Sequence, residues 1–228
     1  MQSISGMLNV FISPVELWEQ LRRKHQVLMP LVCLLGLAVA TQFAYFSNID
    51  VDWFLETTVF SEEDISPSEK QQVASIMTRS MLLLSAISSA VFITLILISF
   101  VAVYFHLISK IIGKQRPFSQ WFTFSVWGHF PLAITSIIAL ITIFLSDSGQ
   151  LSTQILSATS FNALFLHLPA SHNWYNWADT ASVVMLWQMF LMTVGFKIWT
   201  GISTVSAITI ATAPYIVVMG LWALSILL

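Results

Sequence analysis

Long stretches without Asp, Glu, Lys or Arg divide this sequence, and they constrain its fold more than any other feature. Five of them are predominantly apolar and cover residues 26–49, 80–109, 117–146, 180–196 and 198–228. A helix needs about 20 mostly apolar residues to cross a bilayer, so each stretch is close to the length of one crossing. Only 9% of the residues are charged, whereas soluble domains contain roughly 25%. The sequence therefore predicts a membrane protein.

We predict an all-α fold, a polytopic membrane helical bundle with five transmembrane helices. An amphipathic N-terminal segment, residues 1–25, precedes a membrane domain that covers 26–228. The predicted spans lie at about residues 27–46, 81–107, 122–145, 180–196 and 202–226, with outer loops at 48–79 and 147–178. These boundaries follow from the apolar length that a bilayer requires.

The distribution of Lys and Arg predicts the orientation of this bundle. With five spans, seven of the nine basic residues fall on one side: Arg22, Arg23, Lys24, Lys110, Lys114, Arg116 and Lys197. The other two, Lys70 and Arg79, belong to an acidic loop. Because basic loops stay in the cytoplasm, we expect a cytoplasmic N-terminus and an external C-terminus. We also expect residence in the cell inner membrane.

The N-terminal segment carries a helix-start signal before the first span. Residues 13–16, Ser-Pro-Val-Glu, match the capping box with proline at the first helical position, so we expect a helix to begin at Pro14. Leu17, Trp18 and Leu21 form an apolar stripe opposite charged residues. This pattern predicts a helix anchored in the headgroup layer, and a partner-binding helix is the alternative.

Residues 150–168 are uncharged but rich in Ser, Thr, Asn and Gln. Apolar residues recur there at helical spacing, at Leu151, Ile155, Ala158, Phe161, Phe165 and Leu168. We interpret the segment as an interfacial or re-entrant helix on the outer face, with a sixth span as the alternative.

Two further features concern the predicted spans. Pro131 and Pro214 predict kinks in the third and fifth spans. The pairs Ser85/Ser89 and Ala86/Ala90 allow close packing of another helix on the second span.

Short motifs in chain order resemble those of the Ypt-interacting-protein (YIP) family, and the resemblance covers nearly the whole chain. They begin with Phe11-Ile12-Ser13-Pro14 and Leu17, Gly113-Lys114 with Phe118, and Pro131. They continue with Asp179, Trp187, Leu191 and Gly195, then Ser203, Ser206, Ala207 and Pro214. The resemblance implies a five-span fold with a cytoplasmic N-terminus.

In eukaryotic members the same resemblance implies vesicle traffic and association with Rab-type GTPases. Those members carry a long cytoplasmic region before the first span, whereas only residues up to about His25 precede it in this sequence. We therefore expect a bacterial-type relative without a Rab-type GTPase partner.

Two groups of ionisable residues are candidate sites. Asp147, His167, His172 and Asp179 could converge on the outer face, where imidazole and carboxylate groups would suit a divalent metal ion; isolated surface residues are the alternative. His106, His129 and Lys197 could form a polar site within the membrane, or each could reach water at an interface. We also predict an outer ion pair between Arg79 and Asp179, with Asp147 as the other acidic candidate.

The sequence contains no hydrolase elbow, phosphate loop, dinucleotide fingerprint or HExxH pair. We therefore expect a protein that is not an enzyme and needs no resident cofactor. The favoured function is a scaffold or adaptor that organises membrane proteins or the bilayer, with other membrane proteins or further copies of itself as partners and no nucleic acid. The alternative is a transporter of a metal ion, small solute or lipid that uses the kinked third and fifth helices.

Overall fold

The computed structural model describes the backbone of residues 2–60 and 66–228 and the side chains of 5–60 and 66–228. Glu62, Glu63 and Asp64 of the acidic loop lie outside the described residues. The described chain is built from α-helices: α1 (Gln2–Ile12), α2 (Pro14–Arg23), α3 (Leu28–Asn48), α4 (Val51–Phe54), α5 (Pro67–Ile76), α6 (Arg79–Ile111), α7 (Phe118–His129), α8 (Leu132–Leu145), α9 (Tyr175–Thr180), α10 (Val183–Thr200) and α11 (Thr204–Leu227).

Among the described residues, five helical segments are long and apolar enough to cross a membrane, as the sequence predicts. They are α3, α6, the pair α7 and α8 taken together, α10 and α11. The third crossing is interrupted between His129 and Leu132, where Pro131 removes a backbone donor. Helix α11, in contrast, continues through Pro214. The prediction of an all-α, five-span bundle is therefore confirmed.

Helix packing divides the interior into two apolar clusters. Helix α3 packs against α6 and α8, α6 packs against α7, and α10 packs against α2, α7 and α11. The larger cluster includes Trp18 of α2 together with residues of α3, α6, α7, α10 and α11. The smaller cluster joins the end of α3 to α4 and to Leu151. The larger cluster extends to the end of the bundle that carries Arg22 and Arg116. We call this end the basic face.

Helix α2 is part of the core: its apolar stripe packs against α10, whereas the sequence predicted a stripe anchored in the headgroup layer. It begins at Pro14, as predicted, but the Ser13 side chain makes no capping hydrogen bond, so the predicted capping box does not form. Leu17, Trp18 and Leu21 are buried, at most 4% exposed. Their burial against α10 stabilises the docked helix, because apolar area removed from solvent is the main favourable contribution in such packing.

The segment 150–168 does not form the predicted helix. It contains a 3₁₀ turn at Thr153–Ser157 and a wide helical turn at Asn162–Leu166. The Asn162 amide closes the second turn, accepting from Leu168 N at 2.8 Å and donating to Leu168 O at 3.3 Å. Polar side chains that bond nearby backbone groups compete with regular helix. Among the described residues, this segment contains no helix of membrane-spanning length.

Candidate functional site

The end of α10 at the basic face is capped by two arginines from other parts of the chain. Arg22 Nη1 donates to the Ile198 carbonyl at 3.4 Å, and Arg116 Nη2 donates to the Trp199 carbonyl at 2.8 Å. The last carbonyls of a helix have no partner within it and carry partial negative charge. The helix stops because Gly201 adopts a left-handed conformation at φ 70°. The two guanidinium groups therefore join the N-terminal helix, the 111–118 hairpin and α10.

Arg116 is the more deeply placed of the two arginines. It also donates to Gln120 Oε1 at 3.0 Å and lies 5.3 Å from the centre of the Trp199 ring, within cation–π range. Burial lowers the pKa of Arg116, and the nearby positive charge of Arg22 lowers it further. The hairpin is therefore fixed to α10 by hydrogen bonds and by a ring contact from one side chain.

An aromatic cluster fills the space beneath these arginines. The Trp18 ring stacks on Phe124 with centroids 4.5 Å apart and meets Trp199 edge to face at 6.0 Å. Phe105 and Trp121 continue the cluster toward α6, stacked at 5.8 Å. The interior at the basic face is thus packed with rings, whose offset and edge contacts add to the area that they bury.

Four tryptophan N–H groups join neighbouring elements around the larger cluster. Trp199 Nε1 donates to Trp18 O at 3.0 Å, and Trp187 Nε1 donates to Val10 O at 3.2 Å. Trp127 Nε1 donates to Gln26 O at 2.6 Å, and Trp121 Nε1 donates to Ser109 Oγ at 3.0 Å. Only the Trp18 indole nitrogen in this cluster is buried without a partner.

Several residues that carry the family resemblance have structural roles in this junction or beside it. Leu17 is buried, and Gly195 lies against the Trp18 and Phe124 rings. Gly113 ends α6 with φ 67°, and Ser203 caps α11, accepting from Ser206 N at 3.2 Å. These four motif residues therefore have roles in packing and capping. Sequence reasoning missed that Gly195 lies against the Trp18 ring, because no local pattern reveals which helices become neighbours.

The four residues of the predicted metal site are not brought together. Asp147, His167 and His172 are exposed, and His172 Nδ1 accepts from Trp174 N at 3.1 Å. Within residues 5–60 and 66–228, no group of three or more His, Cys, Asp or Glu side chains is placed to hold a metal ion. These four residues therefore do not form the metal site that the sequence predicted.

Asp179 accepts hydrogen bonds from two serine hydroxyl groups and is not paired with Arg79. Ser157 Oγ lies 2.7 and 2.8 Å from its two carboxylate oxygens, and Ser160 Oγ donates to Oδ1 at 3.1 Å. Burial raises the pKa of the nearby Tyr175, and the charge of Asp179 raises it further. Asp179 thus fastens the irregular segment after α8 to α9.

Arg79 does not form the predicted ion pair with Asp179 or Asp147. It donates to the carbonyls of Phe46, Ser47 and Ile49 at 2.7, 3.0 and 2.9 Å. Among the described residues the one ion pair joins Lys70 to Glu56. Arg79 instead caps the C-terminal end of α3, where free carbonyls carry partial negative charge.

The three residues of the predicted intramembrane site have separate environments. His106 Nδ1 lies 3.1 Å from the Arg116 carbonyl, and His129 is 6% exposed with Nδ1 2.8 Å from the Ser125 carbonyl. Lys197 is exposed in a groove between α10 and α11. No hydrogen bond in the described part of the chain joins these three side chains. They therefore do not form one polar site.

Comparison with known proteins gives one match. The Yip1 domain model matches residues 8–226, which is nearly the whole chain. Neither a search of curated proteins nor a search of solved structures found a match.

Proposed function

Because the chain belongs to the Yip1 domain family, we propose that this multi-pass membrane protein is a non-enzymatic scaffold or adaptor that organises other membrane proteins. The observation that carries the proposal is that the rest of the protein buries only a small part of two spans. Only 6% of the most apolar stretch of α11 and 11% of that of α6 are buried, against 44% for α10. Two of the five spans therefore present most of their surface to lipid or to other proteins.

Helix α6 also carries small residues on its uncovered surface. Ser85 and Ser89 are exposed, one helical turn apart. Small side chains let a second helix approach closely in a membrane. The Ser85 hydroxyl already donates to Leu82 O at 3.0 Å, so burying it against a partner would leave no unpaired donor. This surface supports protein association through α6.

The interior supports a scaffold better than a transporter. Hydroxyl groups within the spans are bonded to backbone carbonyls. Thr200 donates to Phe196 O of its own helix at 2.6 Å, whereas Ser125 donates to Ile98 O and Tyr104 to Ile210 O of neighbouring helices, at 2.7 and 2.8 Å. The aromatic cluster occupies the interior at the basic face. A transport path would need polar groups free to bind a solute across the midplane, and these hydroxyl groups already donate to backbone carbonyls.

A transporter stays the second candidate because the third span is interrupted at Pro131, next to the buried His129. Broken helices are typical of transporter substrate sites. Replacing His129 with Phe would abolish ion or proton flux in reconstituted vesicles if this candidate were correct. Unchanged flux would reject it.

We also propose the orientation that places the basic face in the cytoplasm and the chain in the cell inner membrane. Arg22 and Arg116 both reach carbonyls at the same end of α10, which supports assigning these basic residues to one side. The positive-inside rule makes that side cytoplasmic.

Cysteine cross-linking in native membranes tests the scaffold proposal. Cys33, the single native cysteine, is first replaced by Ala, and then Ser85 or Ser89 is changed to Cys. The matched control is Leu84→Cys, which is 69% exposed but lies about 100° around the helix. We expect discrete cross-linked species, self or heterologous, from positions 85 and 89 and mainly monomer from position 84. Equal products from all three positions, or none, would contradict association through this surface.

A further inference from the structure

An apolar groove of about 740 Å³ runs along the outside of the bundle between α10 and α11. Phe190 and Val194 of α10 form one wall, Ile208 of α11 forms the other, and Val15 of α2 also lines the groove. Phe190, Ile208 and Val15 are 47%, 47% and 52% exposed. Within a bilayer such a surface is covered by hydrocarbon, because water would be excluded from it.

Hydroxyl groups in the groove do not make it polar. Thr193 donates to the Met189 carbonyl at 2.8 Å, and Thr212 donates to the Ile208 carbonyl at 2.9 Å. With their donors bonded to their own helices, these residues offer chiefly methyl groups to an occupant. The chemistry of the walls therefore fits a hydrocarbon chain.

The dimensions fit one leaflet of a bilayer. From Met189 of α10 to Gly201, which follows the last residue of α10, the groove spans 12 residue intervals, which corresponds to about 18 Å at 1.5 Å per residue. One leaflet contributes about 15 Å of the ~30 Å hydrocarbon core. An acyl chain that enters from the basic face would extend along most of the groove.

One charged residue lines the groove, and it lies near the basic end. Lys197 is exposed, and within residues 5–60 and 66–228 it makes no hydrogen bond or ion pair. The N-terminus of α11 begins at Thr204 beside it, where free amide groups carry partial positive charge. Arg22 reaches Ile198, another lining residue. The nearest acidic residues of α2, Glu16 and Glu19, line a different depression with Arg23.

We propose that this groove binds an anionic glycerophospholipid, with its phosphate at Lys197 and one acyl chain along Val194, Phe190 and Ile208. The occupant is a lipid because the apolar walls are about one leaflet long. It is anionic because the single lining charge is a lysine without a protein partner, reinforced by a helix N-terminus. The proposal is independent of the scaffold function.

Native mass spectrometry of the full chain in detergent tests this proposal with phosphatidylglycerol and phosphatidylcholine as probes. We expect one phosphatidylglycerol to be retained in preference to phosphatidylcholine. Lys197→Gln should weaken phosphatidylglycerol retention about fivefold, whereas Lys114→Gln, an equal loss of charge on the exposed hairpin, should not. Equal loss in both variants, or equal retention of the two lipids by the unchanged chain, would overturn the proposal.

A second pair of variants tests the acyl chain separately. Ile208→Trp should fill the groove and abolish retention of the lipid, whereas Leu221→Trp, at a position 63% exposed on the same helix, should leave retention unchanged. Retention by Ile208→Trp would overturn the proposed position of the chain. Competition by glycerol phosphate, which lacks acyl chains, would overturn the assignment to a lipid. Both tryptophans replace exposed residues, and an unchanged melting temperature confirms that each variant is folded.

Discussion

Gly195 of α10 lies against the Trp18 ring of α2 so closely that a Cβ at position 195 would come within 2.5 Å of Trp18 Cε2. The same Cβ would lie 2.7 Å from Phe124 Cε2. Both rings are fully buried, so neither can move aside without disturbing the aromatic cluster. The absence of a side chain at position 195 therefore permits α2 to dock on the bundle.

Gly195→Ala should displace α2 from the bundle. Overpacking in a closely packed interior costs about 1–3 kcal/mol, and the strain here falls on the contact that holds the N-terminal helix. We expect a lower melting temperature in detergent and faster proteolysis between α2 and α3, measured against the unchanged chain.

Gly36→Ala is the matched control for this substitution. It also adds one methyl group to a transmembrane helix, but a Cβ at position 36 meets no atom within 4 Å. Alanine is favoured over glycine in a helix interior by roughly 0.5–1 kcal/mol, so stability should be unchanged or slightly higher. Equal destabilisation by both substitutions would contradict the role given to Gly195.

The spans were predictable because apolar length is a direct property of the sequence, whereas the position of α2 was not. The stripe formed by Leu17, Trp18 and Leu21 predicts an apolar helix face, but the same face would suit a membrane surface or a protein groove. What selects docking is the space left by Gly195, more than 170 residues away along the chain. A single sequence contains no signal for such a distant contact.

The candidate sites failed for a related reason. Residue type suggested that Arg79 pairs with an acidic group, but free carbonyls at the end of α3 are nearer acceptors. Apolar residues in 150–168 do recur at helical spacing. The segment nevertheless forms turns, in which Asn162 accepts a hydrogen bond from Leu168 N and Ser157 donates one to Asp179. In both cases polar side chains bind backbone or hydroxyl groups that hydrophobic periodicity does not describe.

Because Arg79 caps α3 and does not pair with Asp179, substitutions at these two residues should change the free energy of unfolding independently. An ion pair would instead couple the two changes. Arg79→Gln and Asp179→Asn should each destabilise the protein, because each breaks hydrogen bonds to different partners. Sites without shared partners combine additively within about 0.5 kcal/mol. Denaturation of the two single variants and the double variant measures the coupling. A coupling well above that value would restore the predicted pair of Arg79 with Asp179.

Helix α5 should lose the Glu69 carboxylate half of its N-terminal capping box in acid. The Glu69 carboxylate accepts from Ser66 N at 3.0 Å and from Ser66 Oγ at 2.6 Å, and these bonds lower the pKa of Glu69 below its ordinary value of 4.5. A lowered pKa in the folded state means that the stabilisation is present above 4.5 and is lost as pH falls through the folded value.

Amide hydrogen exchange of α5 between pH 2.5 and about 6 measures this loss. Glu69→Gln is the control, because Gln can occupy the same capping position but does not titrate. We expect protection of α5 to fall in acid for the unchanged chain relative to the variant. The same pH dependence in both would show that another group is responsible.

The proposed orientation predicts which residues a membrane-impermeant thiol reagent can reach. In a chain with Cys33 replaced by Ala, a cysteine at Lys114 should react only after the inner membrane is opened, and a cysteine at Ser148 should react in intact spheroplasts. Both positions are exposed, so the difference reports the side of the membrane and not burial. Seven basic residues against two favour this orientation. Labelling of position 114 in intact spheroplasts would show that the orientation is the reverse of the proposed one. The proposed lipid site at Lys197 would then face the outer leaflet.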